Sequence, residues 1–437
     1  MRIAVLPSLD RHTGGIYQYS LTMLEALDAW QETGCEDEFL VFAKPSLRAA
    51  LPPLKGHWSV ECLDRSEPPP PQPLLDALRR VIGEGPHREA WRRLRTSKAQ
   101  PQRPAAPRNV DKVVARPHLR EQFRRFHLDL AVYPYAQSMA FEADIPYVMA
   151  VHDLQHRLQP EFPEVSADGE WDWREYLFRN GTRSATLILA DSEVGREDIL
   201  NCYGPYGVTP DRVKVLPFLP ASYLSADVSE VERQRVRTKY HLPERYLFYP
   251  AQFWPHKNHT RIVQALGLLK EAHGADIPIL FSGSHAGEIR ERTFGDVMTT
   301  ASSLGLESQI LYGGYVPDED MSGLYAGAVA LTMPTFFGPT NIPVLEAWAY
   351  GCPVLTSDIR GIREQVGDAG VLVDPRSIES IADGIYKLWS SDTVAATLVR
   401  RGHQRLGEYT TADYQRRLVQ ILEEAKARAR PLSTLKR

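Results

Sequence analysis

The stretch PTFFGPTNIPVLEAWAYGCPVL, residues 334–355, decides the fold that this sequence predicts. A short apolar run ending at Met333 precedes it and predicts a buried strand. Pro339 and Pro343 then mark a loop and the first turn of a helix, where the missing N–H of a proline costs nothing. Gly351 suits the end of that helix, and another apolar run follows. The stretch therefore predicts strand, loop, two-turn helix and strand, a unit of an open α/β sheet.

The helix of this unit would begin at the carboxyl end of a parallel strand, which is where open α/β sheets bind ligands. Its unpaired N–H groups would favour an anion such as phosphate. Glu346 lies one turn into the helix, and helical side chains lean towards the N-terminus, so this carboxylate can reach whatever the loop holds. An ordinary α/β crossover without a ligand would have the same pattern.

Composition narrows the class of protein. A length of 437 residues suggests two or three domains, and 43% apolar with 24% charged residues is ordinary for a soluble globular protein. The net charge of −4 argues against a dedicated nucleic-acid binder. The four cysteines lack metal-ligand or redox spacing, so we expect reduced, mostly buried thiols and a cytoplasmic protein. No apolar run reaches membrane-spanning length, so we expect any membrane role to be peripheral.

A second loop suited to phosphate lies near the start of the chain. An apolar run at residues 3–6 predicts a strand, Gly14 and Gly15 follow in a loop, and residues 17–30 predict an amphipathic helix. Glycines allow the backbone to approach a ligand closely while the helix N-terminus faces it. The third glycine of the dinucleotide fingerprint is missing, and a tight turn without a ligand fits equally well.

Residues 66–125 differ in character from the rest. Prolines at 68–71 predict a stiff surface linker, and residues 86–125 contain twelve lysines and arginines against three acidic residues. This pattern fits a basic arm on an anionic membrane surface, although a solvated basic loop is the commoner use of such a run. No interleaved stacking residues accompany the charge, so no nucleic acid is expected as a partner.

The alternation of strands and helices resumes at residue 128. An apolar run at residues 145–151 leads directly into His152, which is placed either for ligand contact or for a structural bond to a neighbouring carbonyl. After a hinge at residues 217–220, a second series begins with a strand at 245–251. Two series of similar size predict two doubly wound domains that face a cleft.

Eight short motifs follow one another along nearly the whole chain outside residues 66–125. They are Gly14-Gly15-Ile16, Val151-His152-Asp153-Leu154, Asp191-Ser192-Glu193, Pro255-His256-Lys257-Asn258, Gly314-Tyr315-Val316-Pro317-Asp318-Glu319, Asn341-Ile342-Pro343-Val344-Leu345-Glu346-Ala347, Gly351-Cys352-Pro353-Val354 and Gly367-Asp368-Ala369-Gly370. Each motif is weak alone, but their order resembles that of the family 4 retaining glycosyltransferases, which belong to the group 1 glycosyltransferases.

The resemblance implies an α/β protein of the GT-B fold, with two doubly wound Rossmann-like domains facing a cleft. Residues 1–216 would form the acceptor-side domain, which includes the Pro-rich and basic insertion. Residues 217–410 would bind the nucleotide sugar. A final helix within residues 411–437 would pack back on the N-terminal domain.

The resemblance also assigns roles to matching residues. Glu346 would bind the donor ribose, Lys257 the diphosphate, and His152 the donor sugar near the reacting carbon. The remaining expected donor-binding residues are Gly14, Gly15, Ile16, Gln252, His256, Ser284, Tyr315, Val316, Thr340, Asn341 and Ile342. A lysine and two opposed helix N-termini could stabilise the leaving diphosphate, so no metal or cofactor is expected. The Asp-x-Asp pattern at residues 318–320 is interpreted as a helix start.

Two positions depart from the family pattern. Gly338 stands where the family usually has the first glutamate of Glu-x7-Glu, which helps to hold the donor sugar, so the identity of the sugar stays open. Gln252 stands where many relatives have an arginine, and His256 or an arginine from elsewhere, such as Arg196, would have to compensate.

The sequence thus predicts a retaining glycosyltransferase that moves a sugar from a UDP- or GDP-linked donor to a hydroxyl of a glycan or lipid-linked acceptor. Cell-envelope polysaccharide or glycoconjugate synthesis is the expected setting, with peripheral contact through residues 86–125 on the inner face of the membrane left open. No convincing carboxylate pair for double displacement is visible, so we expect same-face substitution. Alternatives are a nucleotide-sugar epimerase on the same fold, or a degenerate homologue that binds nucleotide without turnover.

Overall fold

The computed structural model describes residues 1–63, 109–221 and 228–429. Within these ranges the strands form two sheets in which all neighbours run parallel. The first sheet contains β1 (Arg2–Val5), β2 (Glu38–Phe42), β3 (Trp58–Glu61), β4 (Leu130–Tyr133), β5 (Tyr147–Ala150), β6 (Leu187–Ala190) and β7 (Val213–Val215). The second contains β8 (Leu247–Pro250), β9 (Ile279–Ser282), β10 (Ile310–Tyr312), β11 (Ala330–Met333), β12 (Val354–Ser357) and β13 (Val371–Val373).

Helices connect the strands in both halves of the chain. Those around the first sheet are α1 (Gly15–Glu32), α2 (Pro117–Arg125), α3 (Met139–Glu142), α4 (Gln155–Leu158), α5 (Pro163–Ser166), α6 (Glu170–Ser184) and α7 (Glu193–Tyr203). Those that follow are α8 (Glu230–Lys239), α9 (His259–His273), α10 (Glu288–Ser303), α11 (Asp318–Gly327), α12 (Ile342–Ala349), α13 (Arg360–Val366), α14 (Ile378–Ser390), α15 (Asp392–Gly407) and α16 (Thr411–Arg428).

Each sheet has a point at which the direction of chain progression reverses. The strand order is β3-β2-β1-β4-β5-β6-β7 in the first sheet and β10-β9-β8-β11-β12-β13 in the second. The reversals therefore fall between β1 and β4 and between β8 and β11. Crevices at the carboxyl ends of such neighbouring strands are the usual ligand sites of doubly wound folds. The predicted α/β class with two doubly wound units is confirmed.

The strands are buried because helices cover both faces of the sheets. All four residues of β4 are fully buried, which matches the near-continuous apolar run that the sequence has there. The stretch from residue 334 to 355 forms the predicted loop, the two-turn helix α12 and the start of β12. Pro343 lies in the first turn of α12, and Gly351 follows the helix with a φ of 64°.

The last helix, α16, packs against α1 of the first unit. Tyr414 and Leu418 share a buried cluster with Tyr19 of α1. Lys426 pairs with Asp37 at 2.6 Å. The last described segment of the chain therefore crosses from the second sheet back to the first unit.

The basic segment is only partly described. The prolines at 68–71 and the arginines up to residue 108 lie outside the described ranges. Helix α2, at the end of the segment, buries Leu119 and Phe123 in the core of the first unit. Arg120 pairs with Asp144 at 2.6 Å. The end of the predicted basic arm is thus part of the folded unit. In the part of the chain that the structure describes, no helix combines the length and apolarity needed to cross a membrane.

Candidate active site between the two sheets

A cleft of about 630 Å³ lies between the carboxyl edges of the two sheets. Residues from the loops after β5, β8 and β11 line it. Five of the residues predicted for the site are among them: His152, His256, Lys257, Thr340 and Asn341. The strand reversal in the second sheet explains why residues more than 80 positions apart meet there.

The loop after β11 and the loop that carries Lys257 form one hydrogen-bonded unit. The N–H of Phe336 donates to the carbonyl of His256 at 2.8 Å, and Thr335 Oγ1 donates to the same oxygen at 3.1 Å. Asn258 Nδ2 donates to Pro334 O at 2.8 Å. These bonds fix the position of Lys257 relative to the start of α12.

Lys257 is the main cationic group that lines the cleft from the second unit. Its ammonium group has no hydrogen-bond or ion-pair partner among the described residues. Burial lowers the pKa of Lys257 to about 8, although the nearby charges of Asp153 and Glu164 oppose this shift. The ammonium is still mostly charged at pH 7, and an anion in the cleft would raise its pKa again, so the site is chemically suited to phosphate.

The N-terminus of α12 is partly occupied by protein groups. Asn341 precedes the helix, and its main-chain N–H donates to Gln365 Oε1 at 2.9 Å. Gln365 Nε2 in turn donates to the Asn341 carbonyl at 2.9 Å. The expected contact between this N–H and phosphate would require Gln365 to move. Asn341 Nδ2 is buried and has no partner among the described residues, so the side-chain amide is the group available to a ligand.

The Gly-Gly loop of the first unit faces α12 across the cleft. Gly14 has a φ of 58° and precedes α1, and a Cβ on Gly15 would lie 3.3 Å from Ile342 Cδ1. Gln252 Nε2 donates to the His12 carbonyl at 3.2 Å. Ile16 lies in the first turn of α1. The N-termini of α1 and α12 are therefore close together, in the arrangement that the sequence predicted.

His152 combines both interpretations that its sequence position allowed. Its ring lines the cleft, while Nε2 bonds the Pro134 carbonyl at 2.8 Å. The ring also contacts Tyr19 and Phe218, with centroids 4.8 and 5.6 Å away. Burial lowers the pKa of His152 despite this carbonyl and the neighbouring Asp153, so the imidazole is neutral at pH 7.

The wall that the first unit contributes is acidic, which sequence reasoning missed. Asp153, Glu164, Asp168 and Glu170 all line the cleft. Arg174 binds two of them, with distances of 3.3 Å to Asp153 and 3.2 Å to Glu170. Asp153 belongs to the motif that follows β5. Glu164 lies on α5, Asp168 in the turn after it and Glu170 at the start of α6, where the sequence offered no recognised motif.

Glu164 and His256 join the two walls. Glu164 Oε1 accepts hydrogen bonds from the main-chain N–H of His256 at 3.1 Å and from His256 Nδ1 at 2.6 Å. Burial raises the pKa of Glu164, but the bonds from His256 outweigh it and the net pKa is lowered. Burial also lowers the pKa of His256. The pair is therefore a carboxylate held by a neutral imidazole N–H.

Several predicted donor residues lie outside the cleft lining. Glu346 is 4% exposed, and its Oε2 accepts a hydrogen bond from Tyr325 at 2.8 Å. The side chain of Val316 packs in the core of the second unit. Ser284 Oγ accepts from the N–H of Ala286 at 3.2 Å. These residues surround the ends of β9, β10 and β11 rather than the open space itself.

The neighbourhood of Gln252 contains an arginine that the sequence did not reveal. Arg290 Nη1 on α10 donates to Gln252 Oε1 at 2.7 Å, and its guanidinium lies 4.7 Å from the centre of the Trp254 ring. Arg196 instead donates to the carbonyls of Pro210 and Val213, so it does not replace the missing arginine. Tyr315 is 48% exposed and lies next to the His12 ring.

The Asp-x-Asp pattern begins a helix, as the sequence predicted. Helix α11 starts at Asp318, and the buried Asp320 is bound by Arg235, Lys239 and Tyr240. Among residues 1–63, 109–221 and 228–429, no group of three His, Cys, Asp or Glu side chains is arranged to hold a metal.

Further contacts close the far end of the cleft. Thr340 Oγ1 donates to Asp191 Oδ2, and burial raises the pKa of Asp191 to about 7 against the effect of this bond. The carboxylate of Glu364 accepts from the N–H groups of Glu193 and Val194, each at 2.9 Å. The described conformation is therefore one in which the two units touch on both sides of the cleft.

Solved structures with the same arrangement define the fold. The structure of HepE from Anabaena in complex with UDP and glucose superposes with a TM-score of 0.67 at 16% identity, covering 97% of this chain and 99% of that one. WaaG, a glycosyltransferase involved in lipopolysaccharide biosynthesis, gives a TM-score of 0.63 at 14% identity, with coverage of 96% and 99%. The chain has the GT-B fold.

The family follows from the sequence of the second unit. Residues 230–405 match the family described as glycosyl transferases group 1, which confirms the group 1 part of the resemblance found in the motif order. The O-antigen chain mannosyltransferase B of Escherichia coli is 31% identical over 242 residues, which cover 55% of this chain and 61% of that protein. The mannosylfructose-phosphate synthase of Agrobacterium fabrum is 21% identical over 302 residues, covering 66% and 65%. The chain thus matches less than two thirds of the length of these relatives.

Proposed function

We propose that this protein is a glycosyltransferase that moves a sugar from a nucleotide-sugar donor to a hydroxyl of a glycan or lipid-linked acceptor. The observation that carries the proposal is the unpartnered ammonium of Lys257 in a cleft at the strand reversal of the second sheet. The family match and the mannosyltransferases among the relatives support this reaction class. They also favour a mannosyl donor and a role in the synthesis of a cell-envelope polysaccharide.

The leaving group of this reaction is a nucleoside diphosphate, whose growing negative charge must be stabilised. Lys257 in the cleft would supply positive charge to it, and the adjacent N-termini of α1 and α12 would add positive potential. His152 lies in the same cleft and would contact the transferred sugar. Glu346 would bind the ribose, with Tyr325 holding its carboxylate.

We infer same-face substitution, in which the departing phosphate accepts the proton of the acceptor hydroxyl. The acidic wall makes this step worth testing, since an ionised carboxylate in the cleft is the group that a double displacement would need. Mass spectrometry of the protein after incubation with a donor and no acceptor should find no glycosylated side chain. A glycosylated Asp153, Glu164, Asp168 or Glu170 would replace this mechanism by double displacement.

The reaction itself is tested with purified protein, a panel that includes GDP-mannose and UDP-glucose, and short mannose oligosaccharides as acceptors. We expect nucleotide release that depends on the acceptor and disappears in Lys257→Ala. Isomerised donor would instead indicate an epimerase. Binding without turnover across the panel would indicate a degenerate homologue.

The ribose contact of Glu346 has its own test. Glu346→Gln keeps an oxygen that can accept from Tyr325, so the variant should fold. We expect wild-type protein to bind the ordinary nucleotide at least tenfold more tightly than its 2′,3′-dideoxy analogue, and Glu346→Gln to lose most of this preference. An equal preference in both proteins would remove Glu346 from the ribose site.

Peripheral contact with membranes through residues 86–125 is also part of the proposal. Because α2 buries Leu119 and Phe123, a deletion should stop at residue 108. Sedimentation with vesicles that contain anionic lipid should fall when residues 86–108 are deleted. Unchanged sedimentation would remove the membrane contact from the proposal.

A further inference from the structure

Three buried polar atoms of residues that line the cleft lack partners among the described residues. They are Glu164 Oε2, Gln155 Nε2 and Asn341 Nδ2. A buried polar group without a partner costs free energy, and most such groups in native proteins are bonded. Three in one cleft are therefore positions at which a polar ligand can make the hydrogen bonds that water otherwise makes.

Glu164 is the most constrained of the three. Its side chain is 5% exposed, and both hydrogen bonds from His256 go to Oε1. The carboxylate is thus fixed at one oxygen, and the other is left for a donor. Because His256 immediately precedes Lys257, Glu164 is held at a set position relative to the phosphate-binding lysine.

The other carboxylates on this wall are less suited to the task. Asp153 and Glu170 are bound to Arg174. Asp168 is an exposed residue of a turn, with a φ of 54°. Of the described acidic residues that line the cleft, Glu164 is the one that offers a buried and uncommitted oxygen.

The chemistry of these atoms specifies the ligand. A carboxylate oxygen accepts from a hydroxyl, and the amide groups of Gln155 and Asn341 donate to one. In a ligand whose phosphate binds Lys257, a group that carries several hydroxyls would be joined directly to that phosphate. A nucleotide-linked sugar has this chemistry, because its hydroxyl-bearing ring is joined to the terminal phosphate through the anomeric oxygen.

The loop after β11 does not provide an acid of its own. Gly338 has a φ of 137°, which side-chain-bearing residues rarely adopt, and a Cβ there would lie 2.9 Å from Asn341 Nδ2. A side chain at this position would displace the asparagine amide. The acidic groups that line the cleft all lie on the opposite wall.

We propose that Glu164 determines sugar specificity by accepting a hydrogen bond from a hydroxyl of the transferred sugar. This inference rests on the proposed function and extends it. Gln155 and Asn341 complete the contacts to the same sugar. Since Glu164 belongs to the first unit and Lys257 to the second, the donor is gripped from both sides, and tight donor binding requires the closed cleft.

The test compares Glu164→Gln with Glu161→Gln, an exposed residue of the same segment, as a matched control. Each protein is titrated with GDP and GDP-mannose and with UDP and UDP-glucose, and the pair that wild type binds is carried forward. We expect Glu164→Gln to bind the nucleoside diphosphate like wild type and the nucleotide sugar at least tenfold more weakly. Glu161→Gln should bind both like wild type.

Deoxy sugars then identify the hydroxyl. A donor that lacks the contacted hydroxyl should bind wild type at least tenfold more weakly than the parent donor does. Glu164→Gln should bind the two donors about equally, because the substitution and the missing hydroxyl remove the same contact. Unchanged affinity of Glu164→Gln for the sugar donor would overturn the inference. So would an equal loss for nucleoside diphosphate and sugar donor, which indicates a structural role, or a loss confined to the acceptor.

The two proposals fail in different ways. Absence of acceptor-dependent nucleotide release in wild type refutes the proposed function and the inference with it. Normal turnover by wild type with unchanged donor affinity in Glu164→Gln refutes the role of Glu164 alone. Unchanged affinity of this variant for the nucleoside diphosphate shows in the same titration that it is folded.

Discussion

Replacing Lys257 by methionine should stabilise the empty protein and at the same time remove its affinity for nucleotide. Burial lowers the pKa of this lysine from 10.5 to about 8, and each pKa unit corresponds to about 1.4 kcal/mol. The charged form would thus cost about 3 kcal/mol at pH 7, which partial exposure to solvent reduces to about 1–3 kcal/mol. Lys257→Met keeps most of the aliphatic stem and removes the charge, so the free energy of unfolding should rise by this amount.

The sign of the pH dependence follows from the same shift. Because the pKa of Lys257 is lower in the folded than in the unfolded chain, the unfolded chain binds more protons between pH 8 and 10.5. The cost of the buried charge is therefore full below about pH 8 and disappears as the pH rises to 10.5. The difference in unfolding free energy between Lys257→Met and wild type should shrink over this window.

Urea denaturation at pH 7, with and without saturating nucleoside diphosphate, measures both effects. Ligand should stabilise wild type strongly and the variant little, because binding to the folded state adds RT ln(1 + [L]/Kd) to its stability. Lys387→Met, an exposed lysine of α14, is the control and should match wild type in both conditions. If Lys257→Met is less stable than wild type without ligand, or keeps its response to nucleotide, the buried-cation interpretation is wrong.

Three further substitutions test the surroundings of the cleft. Burial raises the pKa of Asp191 to about 7, so the contribution of this carboxyl group to the stability of the folded state is lost as the pH rises from about 4 to 7. The stability gain of Asp191→Asn should therefore grow over that window by on the order of 2–4 kcal/mol. A difference in urea unfolding that stays constant with pH would contradict this. A Cβ at Gly361 would lie 2.3 Å from the carbonyl oxygen of Pro339, so Gly361→Ala should shift the loop and weaken nucleotide binding by roughly tenfold or more in calorimetry. A Cβ at Gly402 would lie 2.3 Å from the Trp348 ring in the core of the second unit. Gly402→Ala should lower stability by about 1–3 kcal/mol, while calorimetry finds a smaller loss of nucleotide affinity than for Gly361→Ala.

The fold was predictable because its signals are local. Apolar runs such as residues 328–333 and the glycines and prolines around them predict buried strands and helix ends from neighbouring residues alone. The alternation of these units requires parallel sheets, and parallel sheets bring the loops after their strands to one edge. The proximity of Lys257 to residues 338–341 follows from that topology, and the structure contains it.

The acidic wall was not predictable for the opposite reason. Glu164 lies on a one-turn helix, α5, whose four residues give no periodic signal. Its partner His256 is 92 residues away, so only the contact between the two units reveals the pair. Arg290 is similar, because 38 residues separate it from Gln252. Positions that depend on one tertiary contact leave no pattern in a single sequence.

The two units contribute groups of opposite charge to the cleft. The second unit offers Lys257 and the start of α12, which suit a phosphate, while the first offers Glu164, which suits a hydroxyl. Under the proposed function, neither unit alone would hold both ends of a nucleotide sugar. Since His256 bonds Glu164 across the cleft, closure fixes the carboxylate beside the residue that precedes Lys257, the proposed phosphate ligand. A donor that carries the right hydroxyl would thus favour the closed state more than bare nucleotide does, which makes sugar selection and closure a single event.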